Sequence, residues 1–125
     1  MSSISKFLSL RVPANVIYRA LRDTRLEQFF PEFFAGVTRR FTTNKTNSEL
    51  EIITTTYDFQ LQIQEIFKLK ILDKNTTEVR YTTETNVEND LIVESIVQTH
   101  IANVLYALLM LETGYVNGLI ETQGY

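Results

Sequence analysis

The sequence predicts an α+β protein in which a curved antiparallel sheet is covered by one long C-terminal helix. Three observations support this: a two-residue hydrophobic period near the N-terminus, a dense run of β-branched and aromatic residues in the middle, and apolar residues at helical spacing near the end. At 125 residues the chain is long enough for one hydrophobic core and too short for two ordinary domains. A single domain spanning residues 1–125 is therefore expected.

The first predicted element is a strand over Ile4–Val12. Its apolar residues occupy even positions, as in a half-buried strand: Ile4, Leu8, Leu10 and Val12. Pro13 cannot continue a paired ladder, and the apolar residues that follow at helical spacing predict a short helix with Asn15 as its N-cap, ending near Asp23. The same spacing continues over Leu26–Phe34 but Pro31 interrupts it, which predicts a second short helix or a broken pair of turns.

Four further strands are predicted between Val37 and Asn86, where β-branched and aromatic residues are dense and the breaks are short and polar. They are Val37–Thr43, Glu49–Tyr57, Phe59–Leu72 and Thr77–Asn86. The third has the clearest alternation, and Glu65 alone interrupts its apolar side. A sheet of this kind has one face to bury, and a long amphipathic helix can cover it.

The segment Leu91–Gln98 can be interpreted either as a last strand or as the start of the final helix, and its β-branched residues favour the strand. A helix is predicted from Thr99 or His100 to Thr122. At 100° per residue, one face carries the apolar residues Val104, Leu105, Leu108, Leu111, Tyr115, Val116 and Leu119, with Glu112 near its centre. A carboxylate there needs a partner, a proton or a wet cavity, so a pocket between helix and sheet is expected.

Composition excludes several classes of function. The formal net charge is −3 and the 12 Lys and Arg residues are spread along the chain, so a nucleic-acid partner is not expected. The chain has no cysteine and 1 histidine, which excludes disulfides, thiol chemistry and metal sites built from several imidazoles. No glycine-rich phosphate loop or nucleophile elbow is present, and neither a cofactor nor a metal is expected.

The hydropathy pattern predicts a cytoplasmic protein that does not span a membrane. The first residues contain no apolar signal core. The longest uncharged apolar stretch, Ile101–Leu111, is well short of the roughly 20 residues that a bilayer crossing needs.

The segment Val12–Asp23, followed by an aromatic and proline element, resembles the opening of the START-like, or Bet v 1-like, superfamily (SRPBCC, polyketide cyclase-like proteins). The residues that carry the resemblance after this segment are Leu26, Phe29, Phe30, Pro31 and Val37. The resemblance implies a helix-grip fold with two short helices after the first strand and a hydrophobic cavity. Phe29 and Phe30 stand where many members have tryptophan.

The first functional hypothesis is the binding of a small hydrophobic or amphipathic ligand, lipids included, between the sheet and the C-terminal helix. The candidate ligand-binding residues are Arg39, Tyr57, Phe67, Tyr81, Leu108, Leu111, Glu112 and Tyr115. Arg39 lies on the same side of its strand as Val37, so it either enters the cavity to neutralise an acid or hold a ligand carboxylate, or lies on the surface.

Two alternatives stay open. The first is a cyclase or dehydratase that uses Glu112 and Glu65 as acid and base, provided that neither glutamate turns to solvent. The second is a protein-interaction module, in which the Phe29–Phe34 cluster or the apolar surface of the last helix docks a protein partner or a second copy. The position of His100 at the margin of the apolar face is more typical of a surface residue than of a base.

Overall fold

A five-stranded antiparallel sheet and a long helix dominate the fold. The computed structural model describes residues 2–45, 48–58, 60–85 and 91–118. The strands lie in the order β1-β5-β4-β3-β2. The elements, in chain order, are β1 (Ser2–Leu10), α1 (Ala14–Arg22), α2 (Arg25–Phe29), a 3-10 turn (Pro31–Phe33), β2 (Val37–Lys45), β3 (Glu49–Thr56), β4 (Gln62–Asp73), β5 (Thr76–Thr85) and α3 (Leu91–Val116). The predicted α+β architecture is confirmed.

Alternation along the central strands creates the inner face of the sheet. Every second residue of β3 and β5 is buried, and β4 follows the same rule up to Leu69. The rings of Phe67 and Tyr81 stack at the centre with centroids 4.7 Å apart. The inner face packs with α1 and α3 into one hydrophobic core. Two positions at the ends of predicted strands, Phe59 and Asn86, lie outside the described residues.

The segment Leu91–Gln98 is helical, so the preference for a strand was wrong. Its β-branched residues fall at helical spacing, and Val97 is buried one turn before Ile101. Packing of this face against the core outweighs the weak intrinsic preference for a strand. The helix ends at Val116, and Gly118 follows with a φ of +69° that suits a glycine after a helix. The predicted end at Thr122 lies outside the described residues.

The first short helix begins two residues earlier than predicted. Its N-cap is Pro13, whose carbonyl oxygen accepts hydrogen bonds from the backbone of Val16 and Ile17 at 3.1 and 3.2 Å. Asn15 lies inside the helix, and its prediction as the cap was wrong. The second helix and the 3-10 turn around Pro31 match the predicted broken pair.

Helix α3 buries one face and exposes another. Its buried residues are Val97, His100, Ile101, Val104, Ala107, Leu108 and Leu111. By length and composition α3 is the one described helix that could cross a membrane, a test that the core helix of a sheet protein also passes. Here it is the core helix, because its buried residues belong to the same core as those of the sheet.

Two neighbouring leucines of α3 test this orientation. Leu108 is fully buried and Leu109 is 40% exposed. We expect Leu108→Ala to lower the free energy of unfolding by about 2–5 kcal/mol, because it leaves a cavity in the core. The control Leu109→Ala should cost no more than about 1 kcal/mol. Urea denaturation measures both, and equal losses would contradict the assigned orientation of α3.

Candidate functional site

Glu65 is a completely buried carboxylate at the centre of the inner face of the sheet. It lies on β4, opposite Ile52 of β3 and Thr83 of β5. Because strand residues alternate between faces, Glu65 occupies the row that also contains Ile63 and Phe67. A carboxylate in this position requires charged or hydrogen-bonding partners.

Side chains from neighbouring strands supply these partners. The Tyr81 hydroxyl on β5 donates to Glu65 Oε1 at 2.5 Å, and the Thr54 hydroxyl on β3 donates to Glu65 Oε2. The Arg39 guanidinium on β2 donates from Nη2 to both carboxylate oxygens at 3.1 Å and from Nε to Oε2 at 3.3 Å. The carboxylate therefore binds four strands of the sheet together, β4 itself included.

Arg39 is also paired on its other side. Its Nη1 donates to Glu27 Oε1 on α2 at 2.6 Å, and its guanidinium carbon lies 4.8 Å from the centre of the Phe34 ring. Only 4% of the Arg39 side chain is exposed. The structure therefore places Arg39 in the interior, where it neutralises an acid, one of the two positions that the sequence left open.

These contacts determine the protonation of the cluster. Burial on its own would raise the pKa of Glu65, but the positive charge of Arg39, the nearby His100 and the Thr54 hydroxyl outweigh it and lower the pKa to about 2. Burial and the Glu65 carboxylate raise the pKa of Tyr81 well above 10, so its hydroxyl stays a donor. Burial also raises the pKa of Glu27, and the attraction of Arg39 offsets this only partly.

His100 joins the cluster from helix α3. Its Nε2 lies 3.1 Å from Glu65 Oε1, yet no hydrogen-bond partner is aligned with this nitrogen in the described part of the chain. The distance is that of a polar contact, whereas the geometry is too poor for a hydrogen bond, and a small rotation of the ring would correct it. The side chain is 4% exposed, so this nitrogen is buried beside the Glu65 carboxylate without a well-aligned hydrogen bond.

The sequence analysis predicted that His100 lies at the surface, which was wrong. Its spacing from the apolar residues one helical turn away would have predicted a buried position. Val97 and Val104, one turn before and one turn after it, are both buried. With a helix beginning at Leu91, the buried face includes position 100. The strand expected over Leu91–Gln98 obscured this pattern.

Two cavities adjoin the cluster, one on each side of Val37. The first, the His100 cavity, has a volume of about 250 Å³ and is lined by Phe33, Ala35, Gly36, Val37, Thr56, Asp58, Ser95, Ile96, Thr99, His100 and Asn103. The second, the Arg39 cavity, has a volume of about 290 Å³ and is lined by Thr24, Glu27, Pro31, Phe34, Val37 and Arg39. Both lie at the end of the sheet where β2 begins.

Glu112 lies apart from this cluster. It accepts a hydrogen bond from the backbone nitrogen of Arg11 at 2.7 Å, and the Arg11 Nε is 3.7 Å from the same oxygen. Glu112 follows His100 by twelve residues on α3, or about 18 Å along the axis at 1.5 Å per residue. Glu65 and Glu112 therefore do not form the pair of carboxylates that the cyclase hypothesis required.

Five other predicted ligand-binding residues are absent from the lining of both cavities. Phe67, Leu108 and Leu111 are fully buried in the packed core, Tyr115 is half-buried beside it, and Tyr57 is 61% exposed. None of these five residues lines either described cavity. Among the described residues, no group of three His, Cys, Asp or Glu side chains is placed to hold a metal ion.

No protein-family model matches the sequence, and no curated protein sequence matches it significantly. Solved structures do resemble the fold. An HSP90 activator from Plasmodium falciparum has a TM-score of 0.66 at 11% identity, with 89% of this chain and 96% of that chain covered. The Aha1 dimer from Colwellia psychrerythraea has a TM-score of 0.66 at 16% identity, covering 91% of this chain and 98% of that one. The Zhui aromatase/cyclase from a Streptomyces species has a TM-score of 0.58 at 11% identity, with 98% of each chain covered.

The chain has a helix-grip fold like that of these structures. The resemblance inferred from Val12–Asp23 and the proline element is thus confirmed for the architecture. At these identities the likeness concerns the fold, so the site has to be interpreted from the residues of this chain.

The ion pair in the cluster gives the protein a specific pH dependence. Because the pKa of Glu65 is lowered to about 2, its ionised form stabilises the fold at pH values above its ordinary pKa of 4.5, and this stability is lost as the pH falls towards 2. We expect Glu65→Gln to lower the free energy of unfolding at pH 7 by up to about 3–5 kcal/mol, because the buried Arg39 guanidinium keeps only Glu27 as a carboxylate partner.

The difference between wild type and Glu65→Gln should shrink as the pH falls from about 5 to 2 in urea denaturation. The control Glu78→Gln, on the outer face of β5, should change the free energy of unfolding by no more than about 0.5 kcal/mol. A difference that stays constant down to pH 2 would show that Glu65 is not held ionised by Arg39.

Proposed function

We propose that the protein binds a small amphipathic molecule in the His100 cavity. The observation that carries the proposal is a buried histidine in the wall of an open cavity, whose Nε2 lies beside Glu65 without an aligned hydrogen bond. A buried polar atom with no partner at all costs about 1–3 kcal/mol, and a bound molecule that realigns the ring recovers the part of this cost that the poor alignment leaves.

The lining supports an amphipathic rather than a purely apolar ligand. Phe33, Val37 and Ile96 supply apolar surface, whereas Thr99 and Asn103 supply side chains that donate and accept hydrogen bonds. The volume of about 250 Å³ corresponds to roughly eight times the ~30 Å³ that a water molecule occupies in the liquid. The proposed ligand is therefore smaller than a typical drug-sized molecule. Arg39 and Tyr81 support the site indirectly, because they hold Glu65 beside His100.

The experiment is a titration with benzyl alcohol, whose ring and hydroxyl suit the volume and lining, followed in ¹H–¹⁵N NMR spectra. We expect saturable shifts at Ser95, Thr99 and Asn103. Thr99→Trp fills the cavity and should remove these shifts. The matched control Thr113→Trp changes another exposed threonine fourteen residues further along the same helix and should leave them intact. Shifts that are absent, or that persist in Thr99→Trp, would count against the proposal.

A second candidate function is self-association through a partly exposed aromatic strip. The rings of Phe29, Phe30, Phe33 and Tyr106 form a chain with successive centroids 6.1, 6.3 and 6.2 Å apart. The exposed side chains Leu109 and Met110 extend this strip along α3. The similar Aha1 structure from Colwellia psychrerythraea is a dimer, and a second copy of this chain is the occupant that we propose.

Sedimentation equilibrium tests the second candidate. We expect wild-type protein to dimerise with concentration and Tyr106→Glu to stay monomeric, because a charge in an apolar interface is desolvated without a partner. The control Gln62→Glu places the same charge on an exposed position of β4 and should dimerise as wild type does. A wild-type protein that is monomeric at all concentrations excludes this candidate.

A further inference from the structure

We infer that Val37 limits the length of the ligand, because its side chain is the wall between the His100 cavity and the Arg39 cavity. This inference rests on the proposed binding in the His100 cavity and specifies the class of ligand that fits there, a short amphipathic molecule. It also assigns the Arg39 cavity as a second compartment of the same site. A longer ligand reaches this compartment only when the side chain at position 37 is smaller.

Val37 is the one described residue that lines both cavities. In the sheet it is paired with Thr56, a buried residue of the inner face that also lines the His100 cavity. Arg39, two residues further along β2, lies on the same face and lines the Arg39 cavity. Paired residues on neighbouring strands share a face, so the side chain of Val37 points to the inner face and bounds both spaces.

Backbone hydrogen bonds hold this wall in place. The Tyr57 nitrogen donates to the carbonyl oxygen of Gly36 at 2.9 Å, directly before Val37. Two further hydrogen bonds join Thr56 to Leu61: the Thr56 nitrogen donates to the Leu61 carbonyl oxygen at 2.9 Å, and the Leu61 nitrogen donates to the Thr56 hydroxyl at 3.2 Å. The sheet therefore determines the position of the wall, and the size of the side chain at position 37 determines how far it extends.

The volumes of the two cavities support a limit on ligand size. The His100 cavity has about 250 Å³ and the Arg39 cavity about 290 Å³, each below the roughly 300–1,000 Å³ of most ligand pockets, whereas the two joined lie within that range. The lining of the second compartment adds the charged and hydroxyl groups of Thr24, Glu27 and Arg39. A ligand that spans both compartments should therefore carry a polar group at its far end.

Two probes of different length test the inference: benzyl alcohol, and 5-phenyl-1-pentanol, which has the same ring and hydroxyl with four more methylene groups. NMR titrations measure their dissociation constants and show which cavity is occupied. In the wild-type protein we expect both probes to shift Ser95, Thr99 and Asn103 and neither to shift Thr24 or Glu27. The longer probe should bind within about threefold of benzyl alcohol, because its added methylene groups are not buried.

The variant Val37→Ala removes two methyl groups from the wall. In this variant 5-phenyl-1-pentanol should bind at least about tenfold more tightly than benzyl alcohol, because each methylene group that becomes buried contributes about fourfold. It should also shift Thr24 and Glu27. The matched control Val93→Ala changes another half-buried valine, which lines neither cavity, and should behave as the wild-type protein does.

The wild-type titration does not depend on a variant folding and decides the inference on its own. If 5-phenyl-1-pentanol shifts Thr24 or Glu27 in the wild-type protein, the cavities already communicate and the inference is overturned. A Val37→Ala protein that keeps the wild-type limit overturns it as well. In both cases benzyl alcohol still binds, and the proposed function stands. If neither probe shifts the residues of the His100 cavity, the proposed function fails and the inference fails with it.

Discussion

The ionised carboxylate of Glu65 in the middle of the sheet is the constraint on which the rest of the structure depends. It accepts hydrogen bonds from Arg39, Thr54 and Tyr81, which lie on three other strands, and it draws His100 of α3 towards the sheet. Glu27 extends the network to α2 through Arg39. One buried charge therefore connects four strands with α2 and α3, and a shift of β4 by one residue would turn it to the outer face of the sheet, away from these partners.

The same charge explains the position of the two cavities at one end of α3. Leu108 and Leu111, towards the other end of the helix, are fully buried in the hydrophobic core. Around His100 the sheet presents charged and hydroxyl groups, which hydrocarbon cannot cover without a desolvation cost. The two cavities lie on either side of this polar region, beside His100 and beside Arg39. The candidate site therefore lies beside the polar cluster of the sheet, and not beside the most apolar part of α3.

Local patterns predicted the elements well and the partners of Glu65 poorly. The two-residue period that located the strands also singled out Glu65, because a charge on an apolar face is visible within one strand. Its partners Thr54, Tyr81 and Arg39 are 11, 16 and 26 residues away, and only strand order and register bring them together. Glu112 looked central because the predicted face extended to Tyr115 and Val116, whereas the buried face ends at Leu111 and leaves Glu112 at its edge.

The position of His100 between the cavity and Glu65 has a consequence for how the protein would respond to a ligand. The leading half of α3 contributes Ser95, Ile96, Thr99 and Asn103 to the cavity wall, and His100 on that half approaches the sheet through Glu65. Glu65 Oε1 already accepts hydrogen bonds from Tyr81 and Arg39. A ligand that rotates the imidazole into line must therefore redistribute the hydrogen bonds of this one oxygen. Under the proposed function, occupancy of the cavity would therefore be coupled to the ion pair at the centre of the sheet through this single oxygen atom.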